Sequence, residues 1–341
     1  MDAYLRGVQY ALPEGVRTNA DLVALNPSWD EQKIYAKTGI RSRRIATETE
    51  TASDLVYAAA DRLLEETATD RSTIDALIFC TQSPDYFMPA SACVLQERLG
   101  LPRSCAALDY NLGCSGFTYG LWLARSLVLS GSAQNVLLLA GDTLSKYCAP
   151  NDMTTTAIFG DAGSAALISS NPDQAWARVG PTVVGTDGRG GEHLLLRAGC
   201  CRSPRIGAVR QQTTESGDEF LRMNGPEVFG FTMASIQPGI QKLLDQVGLD
   251  WSEVDYFLLH QANAFMLENL RKQMKIPKEK FPCELETIGN TSCASIPILM
   301  RQMVDRDPNV FQPGQHCILV GFGVGFSWAI TDLCWMGGRT Q

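Results

Sequence analysis

The chain has 341 residues, 45% of them hydrophobic and 19% charged, with a formal net charge of −8. That length exceeds the usual single-core size, so two packed subdomains are expected, and an acidic balance without a basic stripe excludes nucleic acid as a partner. The eleven cysteines do not read as a disulfide framework, because the count is odd and no Cys-x-x-Cys pair occurs. The start, Met1-Asp2-Ala3-Tyr4-Leu5-Arg6, lacks the basic-then-apolar profile of a secretory leader. With only three histidines (His193, His260 and His316), a Cys/His metal site is not expected. The longest apolar stretch, 127–140, is interrupted at 130–135, and nothing approaches the ~20 residues of a bilayer span. These features predict a cytoplasmic protein with reduced cysteines, no metal and no membrane contact.

In chain order, helical apolar spacing over 56–64 leads through a turn with Asp70 and Asp75 into a buried strand, Ala76-Leu77-Ile78-Phe79-Cys80. An amphipathic helix follows and stops at Arg98-Leu99-Gly100-Leu101-Pro102. A strand over 105–110 then enters Asn111-Leu112-Gly113-Cys114-Ser115-Gly116-Phe117 and an apolar helix over 116–130, with strands at 136–140 and 164–169 beyond it. The same series returns at a constant offset of 180. It comprises a helix over 236–247, a turn with Asp250 and Asp255, and the strand Tyr256-Phe257-Leu258-Leu259 before His260. A helix stopping at Gln273-Met274-Lys275-Ile276-Pro277 and strands at 317–320 and 327–333 complete it. We read a duplicated β/α unit and hence an α/β fold. Its halves, 1–170 and 218–341, flank an inserted loop region, 171–217, rich in glycine, arginine and polar residues. Helices and sheets would alternate in an α-β-α-β-α layering.

Sites in α/β proteins gather at the carboxyl ends of strands. Those ends carry Cys114, then His260-Gln261-Ala262-Asn263 with Gly289-Asn290-Thr291-Ser292, and finally Gly321-Phe322-Gly323-Val324-Gly325-Phe326. At a helix N-terminus Cys114 would feel the positive end of the macrodipole, which favours the thiolate, and backbone N–H groups there can hold an oxyanion. Flanking Gly113 and Gly116 would allow the tight strand-to-helix turn. His260 closes an apolar strand at the duplicate of Cys80. Asn290, between glycine and hydroxyl residues, fits a cap or turn as readily as an active-site amide. Together the three residues point to a cysteine nucleophile served by two side-chain hydrogen-bond donors.

These motifs, with Thr38-Gly39-Ile40-Arg41 and Phe159-Gly160-Asp161-Ala162-Gly163, resemble the β-ketoacyl-acyl-carrier-protein synthase III family of the thiolase superfamily from near residue 5 to near residue 335. The resemblance implies a thiolase-like fold and a homodimer. It also implies decarboxylative Claisen condensation of an acyl thioester with a malonyl group on acyl carrier protein, in fatty-acid or polyketide-type biosynthesis. No cofactor is implied beyond the substrates, acyl-CoA or phosphopantetheine thioesters. On this reading Cys114 carries the acyl group, while His260 and Asn290 donate to the enolate oxygen. The backbone N–H groups of Cys114 and Val324 form the oxyanion hole. Phe322 shapes the pocket, and Met88 lies where the partner subunit of the family closes it. Asn263 and Lys37 remain as pantetheine and phosphate contacts. Arg271, Lys272 and Lys275, in a basic island with Lys278 and Lys280, would dock the acidic carrier.

The departures carry expectations of their own. The tryptophan and arginine that often clamp the adenine of CoA fall at Lys33 and Met153, and two basic residues of the family fall at Phe265 and Gly230. The first acyl donor is therefore expected on a carrier protein, or on CoA in an altered pose. The run Arg41-Ser42-Arg43-Arg44 reads as surface or as a wall of the entrance. Cys293 lies near, but not in, the position of the second cysteine of thiolases. Two further readings stand beside condensation. One is a family variant that passes the acyl group to a hydroxyl or amine. The other is a non-catalytic partner subunit, which would be expected to lose one of the three residues.

Overall fold

The computed structural model describes residues 2–203 and 217–338. The first half contains strands β1 (Ala3–Ala11), β2 (Gly15–Thr18), β3 (Ser42–Ile45), β4 (Ala76–Cys80), β5 (Ala106–Tyr110), β6 (Asn135–Asp142) and β7 (Ala162–Ser169). Its helices are α1 (Asn19–Leu25), α2 (Glu31–Thr38), α3 (Ala52–Glu66), α4 (Ser91–Arg98), α5 (Gly116–Leu129) and α6 (Met153–Thr156). The second half adds β8 (Ala177–Thr186), β9 (Leu194–Leu196), β10 (Leu221–Met223), β11 (Tyr256–Leu259), β12 (His316–Gly323) and β13 (Ser327–Trp335). With them come α7 (Gly225–Val247), α8 (Ala264–Gln273) and α9 (Ser295–Arg306). No helix among the described residues is long and apolar enough to cross a membrane.

Among the described residues, nine strands hydrogen-bond in the order β11-β12-β13-β8-β1-β7-β6-β4-β5. Outward from the β8–β1 pair the two wings mirror each other: β13 answers β7, β12 answers β6, and β11 answers β4. The registers agree, since β4 runs parallel to β6 and β11 parallel to β12, while β7 and β13 are antiparallel to their neighbours. The repeat read at a fixed sequence offset is thus a repeat in space.

Strand alternation decides which layer each side chain joins. Ile78 and Leu138 point inward, with Phe117 and Leu121 of α5, Leu299 and Met300 of α9, and Leu319 from the other wing. Their neighbours Leu77, Phe79 and Leu139 point outward, against Val56, Ala59 and Leu63 of α3. In the second wing Phe257, Ile318 and Val320 face Ile236, Ile240 and Leu243 of α7. Helix α5 touches β4, β6 and β7 of one wing and β8, β12 and β13 of the other, and α9 reaches both β7 and β11. The layering is therefore helix, sheet, helix, sheet, helix. The two sheets are continuous through the β1–β8 edge.

One boundary is corrected. The range 171–217, read as an inserted loop, contains β8, which pairs with β1 and with the length of β13 as the first strand of the second wing. Its glycines hid it. A Cβ at Gly180 would stand 2.9 Å from the Asp332 carbonyl oxygen, and one at Gly185 would enter the Trp328 indole, so both mark close approach rather than loop. Residues 204–216 of that range lie outside the described residues.

Candidate active site

Cys114 occupies the turn between β5 and α5 and is buried. Glycines surround it, yet neither Gly113 nor Gly116 has positive φ. They are needed for contact. A Cβ at Gly113 would lie 2.9 Å from Val324 Cγ1, and one at Gly116 would overlap Cys80 Sγ. From the opposite side, the end of β12 slides past the same turn: a Cβ at Gly323 would stand 2.8 Å from Cys114 Cβ, and one at Gly321 would stand 2.9 Å from Ser115 Cα. Ser115 Oγ and Ser327 Oγ, 2.7 Å apart, tie the turn to β13. The two halves therefore meet around the sulfur.

His260 ends β11, its N–H bonded to Val320 O at 2.8 Å. Its ring is fixed by Ser295 Oγ at 2.7 Å from Nδ1 and by the edge-to-face Phe322 ring, with centroids 5.4 Å apart. Asn290 sits on the loop before α9, and its backbone is clamped by a short bridge to Phe159. The Asn290 N–H donates to Ile158 O at 2.9 Å, and its carbonyl accepts from Gly160 N at 3.0 Å. The Phe159–Gly163 motif thus positions Asn290. Asn290 Oδ1 accepts the Ser292 N–H at 2.9 Å and Nδ2 donates to Ala262 O at 3.2 Å, which fixes the amide orientation and leaves a second Nδ2 hydrogen.

Burial dominates the electrostatics. It depresses His260 to about 3, with a Ser292 backbone hydrogen bond opposing it weakly, so the imidazole is neutral. It pushes the Cys114 thiol up to about 12 against the helix N-terminus, although a hydrogen bond with Ser292 pulls the other way. Desolvation thus opposes the thiolate that the helix N-terminus favours. Asp142, fully buried at the end of β6, is raised by burial to about 6.

Cys114, His260, Asn290 and Phe322 line one cavity of about 510 Å³, which Asn263 and Lys37 also border. Asn263 is the N-cap of α8, its side chain accepting Met266 N–H at 2.8 Å. Val324 does not line this cavity, although its neighbour Gly323 does. Met88 is not brought there: it is 82% exposed beside exposed Tyr86 and Phe87. Arg271 is largely neutralised, because Glu268 takes it through two 2.8 Å bonds and Ile276 O through a third at 2.7 Å. Lys272 shares Glu268 at 3.4 Å, and Lys275 stands exposed in a left-handed conformation after α8. Arg43 is corrected outright. On β3 it alternates inward, is fully buried, and donates to Asn19 Oδ1 at 2.8 Å and Ala157 O at 2.6 Å behind Gly289.

Family models for 3-oxoacyl-(acyl-carrier-protein) synthase III match residues 108–188 and, for its C-terminal part, residues 244–335. A beta-ketoacyl-(acyl-carrier-protein) synthase III of Syntrophomonas wolfei is 34% identical, covering 100% of this chain and 99% of its own. The chain belongs to the 3-oxoacyl-acyl-carrier-protein synthase III family. A solved 3-oxoacyl-(acyl-carrier-protein) synthase III superposes with TM-score 0.90 at 44% identity, over 98% of this chain and 100% of that one. The priming β-ketosynthase of the R1128 polyketide pathway superposes with TM-score 0.86 at 26% identity, over 99% and 97% of the two chains.

For this synthase III family member, sequence reasoning missed three buried residues behind the cavity lining. Ser295 and Ser292 looked like ordinary loop hydroxyls. Asp142 had a usable signal, a carboxylate at the carboxyl end of an otherwise apolar strand.

Proposed function

We propose that this protein is a condensing acyltransferase that carries an acyl group on Cys114 and joins it to a malonyl thioester on acyl carrier protein, giving a 3-oxoacyl product for fatty-acid or polyketide-type biosynthesis. The observation that carries this is the shared cavity: a thiol and an imidazole from two strand ends and a carboxamide from the loop before α9 border one apolar chamber.

In the first half-reaction the Cys114 sulfur attacks an acyl thioester. One sulfur replaces another, so the exchange is nearly balanced. The tetrahedral oxyanion takes the backbone N–H groups of Cys114 and Val324; among the described residues no hydrogen bond engages the Val324 N–H. In the second half-reaction, loss of CO₂ from the malonyl group leaves an enolate. His260 Nε2–H and the second Nδ2 hydrogen of Asn290 donate to its oxygen, and its carbon attacks the acyl-Cys114 carbonyl. Phe322 keeps the chamber dry.

The outer chamber favours a donor delivered by a carrier protein. Met153, Phe229 and Phe265 border it, the two phenylalanine rings 5.9 Å apart, and Lys37 is its one cation among the described residues. An adenine diphosphate needs more charge than that. Lys272 and Lys275 would steer the acidic carrier, with Arg271 held back by Glu268. Exposed Tyr86, Phe87 and Met88 suit a homodimer in which Met88 closes the acyl pocket of the second copy.

Intact-mass detection of acyl adducts from a panel of donors tests the reading. The wild type should gain the acyl mass and Cys114→Ala should not. The acyl-enzyme with malonyl carrier should then release CO₂ and yield the 3-oxoacyl thioester. Delivery of the acyl group to a hydroxyl or amine without CO₂ would overturn condensation.

A further inference from the structure

The two backbone donors assigned to the oxyanion, Cys114 and Val324, come from different halves of the chain, and a short series of hydroxyls joins them. Val324 opens the turn 324–326 between β12 and β13, with Gly323 before it and Gly325 after it. The far end of this turn is closed by backbone. The Phe326 N–H donates to Asp187 O and the Asp187 N–H to Phe326 O, each at 2.8 Å. At the near end the Val324 carbonyl accepts the Ser327 hydroxyl at 2.7 Å. A carbonyl oxygen only accepts, so the single Ser327 hydrogen is engaged there. The Ser115 hydroxyl, 2.7 Å from Ser327 Oγ, is therefore the donor of that pair. Both serines are buried, which keeps water from competing for either hydroxyl.

We propose that Ser115 and Ser327 are positioning residues that hold the Val324 peptide, so that its N–H and that of Cys114 converge on the tetrahedral oxyanion. This rests on the reading of those two N–H groups as the oxyanion donors of acylation.

The turn needs such a hold. Glycine on both sides of Val324 leaves its backbone permissive, and Gly325 already stands at a φ of +134°. Side-chain packing sets how closely the two loops approach, since a Cβ at Gly113 would stand 2.9 Å from Val324 Cγ1. Packing does not orient a peptide. A hydrogen bond to the carbonyl does, because turning that peptide would leave the buried Ser327 hydroxyl without its acceptor. The two peptides on either side of the Val324 Cα share it, so anchoring one limits the other.

The series also crosses the molecule. Ser115 is the N-cap residue of α5 and directly follows Cys114, while Ser327 is the first residue of β13. The sulfur, the Cys114 N–H and the Val324 N–H thus keep one mutual geometry. An oxyanion hole acts only when its donors are already in place as the charge develops.

The test compares two reactions of Cys114 that need no natural acyl donor, each followed on its own peptide by mass spectrometry. With p-nitrophenyl acetate the sulfur forms an S–C bond to the carbonyl carbon through a tetrahedral oxyanion. The C–O bond to p-nitrophenolate breaks, and the thiol proton goes to solvent. With iodoacetamide the sulfur displaces iodide at a saturated carbon, and no oxyanion forms. Ser327→Ala should slow acetylation about tenfold to a hundredfold while leaving alkylation unchanged. Ser327→Thr keeps the hydroxyl and should keep the wild-type ratio of the two rates. Ser115→Ala should lower that ratio by less, and decides the matter if Ser327→Ala fails to fold. A wild-type ratio in folded Ser327→Ala, or equal losses in both rates, would overturn the proposal. So would a wild-type Cys114 that is alkylated but not acetylated. If p-nitrophenyl acetate labels Cys114 with the expected ratios while no acyl thioester does, the acyltransferase reading fails and the positioning role stands.

Discussion

His260 Nδ1 and Ser295 Oγ lie 2.7 Å apart, joining the end of β11 to the first residue of α9. The same oxygen accepts the Gln261 N–H at 3.3 Å, and in the tautomer that condensation requires the Ser295 hydroxyl donates to Nδ1 while the imidazole carries its own hydrogen on Nε2. Ser295 thereby selects the nitrogen that can donate to an enolate.

Ser295→Ala should therefore slow decarboxylation more than acylation. Losing the bond frees the tautomer and leaves Nδ1 unsatisfied, a cost of about 1–3 kcal/mol or roughly tenfold to a hundredfold in rate. CO₂ release measured beside acyl-enzyme formation separates the two steps. Equal losses in both would sink the assignment.

Stability should depend on His260 in acid. Its folded-state value, about 3, lies below the ordinary 6.5, so the unfolded chain takes up a proton first and stability is lost as pH falls from 6.5 towards 3. By pH 4.5 this amounts to about 3 kcal/mol. His260→Gln removes the titration, so the stability gap between variant and wild type, measured by denaturant melts, should shift in favour of the variant between pH 7.5 and pH 4.5. A constant gap would show that the ring is not buried neutral.

Gly323→Ala places a methyl 2.8 Å from Cys114 Cβ and 3.3 Å from its sulfur. Overpacking of this kind costs about 1–3 kcal/mol, and displacing a reacting atom by an ångström can cost about a hundredfold. Lower Tm together with slower acylation is expected. Retention of the full acylation rate would show that β12 does not set the position of the nucleophile.

Phe265→Lys adds a cation to an exposed position on the rim of the chamber. The KM for acyl-CoA should fall about threefold to tenfold, the worth of a partly solvated phosphate contact, with no improvement for a carrier-borne donor. A wild-type enzyme that already prefers acyl-CoA would refute the carrier-donor reading.

The duplicated architecture was legible because it is written in local patterns. Apolar strands such as Ala76–Cys80 and Tyr256–Leu259, each after an acidic turn, mark the two copies, and the glycine-framed Cys114 and His260 follow the carboxyl ends of β5 and β11. The rule that strand ends converge brought Cys114 and His260 together, whereas Asn290 lies on a loop and was legible only from its motif. Misreadings arose where composition opposed structure. Arg43 belongs to a charged run, yet strand alternation turns it inward. The glycines of β8 resemble a loop, yet they admit Asp332 and Trp328.

What the sequence alone determined is the duplicated order of most elements, β8 excepted, since it follows from short-range periodicity. What only the tertiary structure decided is the environment of the sulfur: burial that opposes its ionisation, a serine that fixes the imidazole, and a loop amide clamped beside both. Those depend on which atoms from residues 158, 260, 290 and 295 come within hydrogen-bonding reach and how far water is excluded, and no local pattern encodes either.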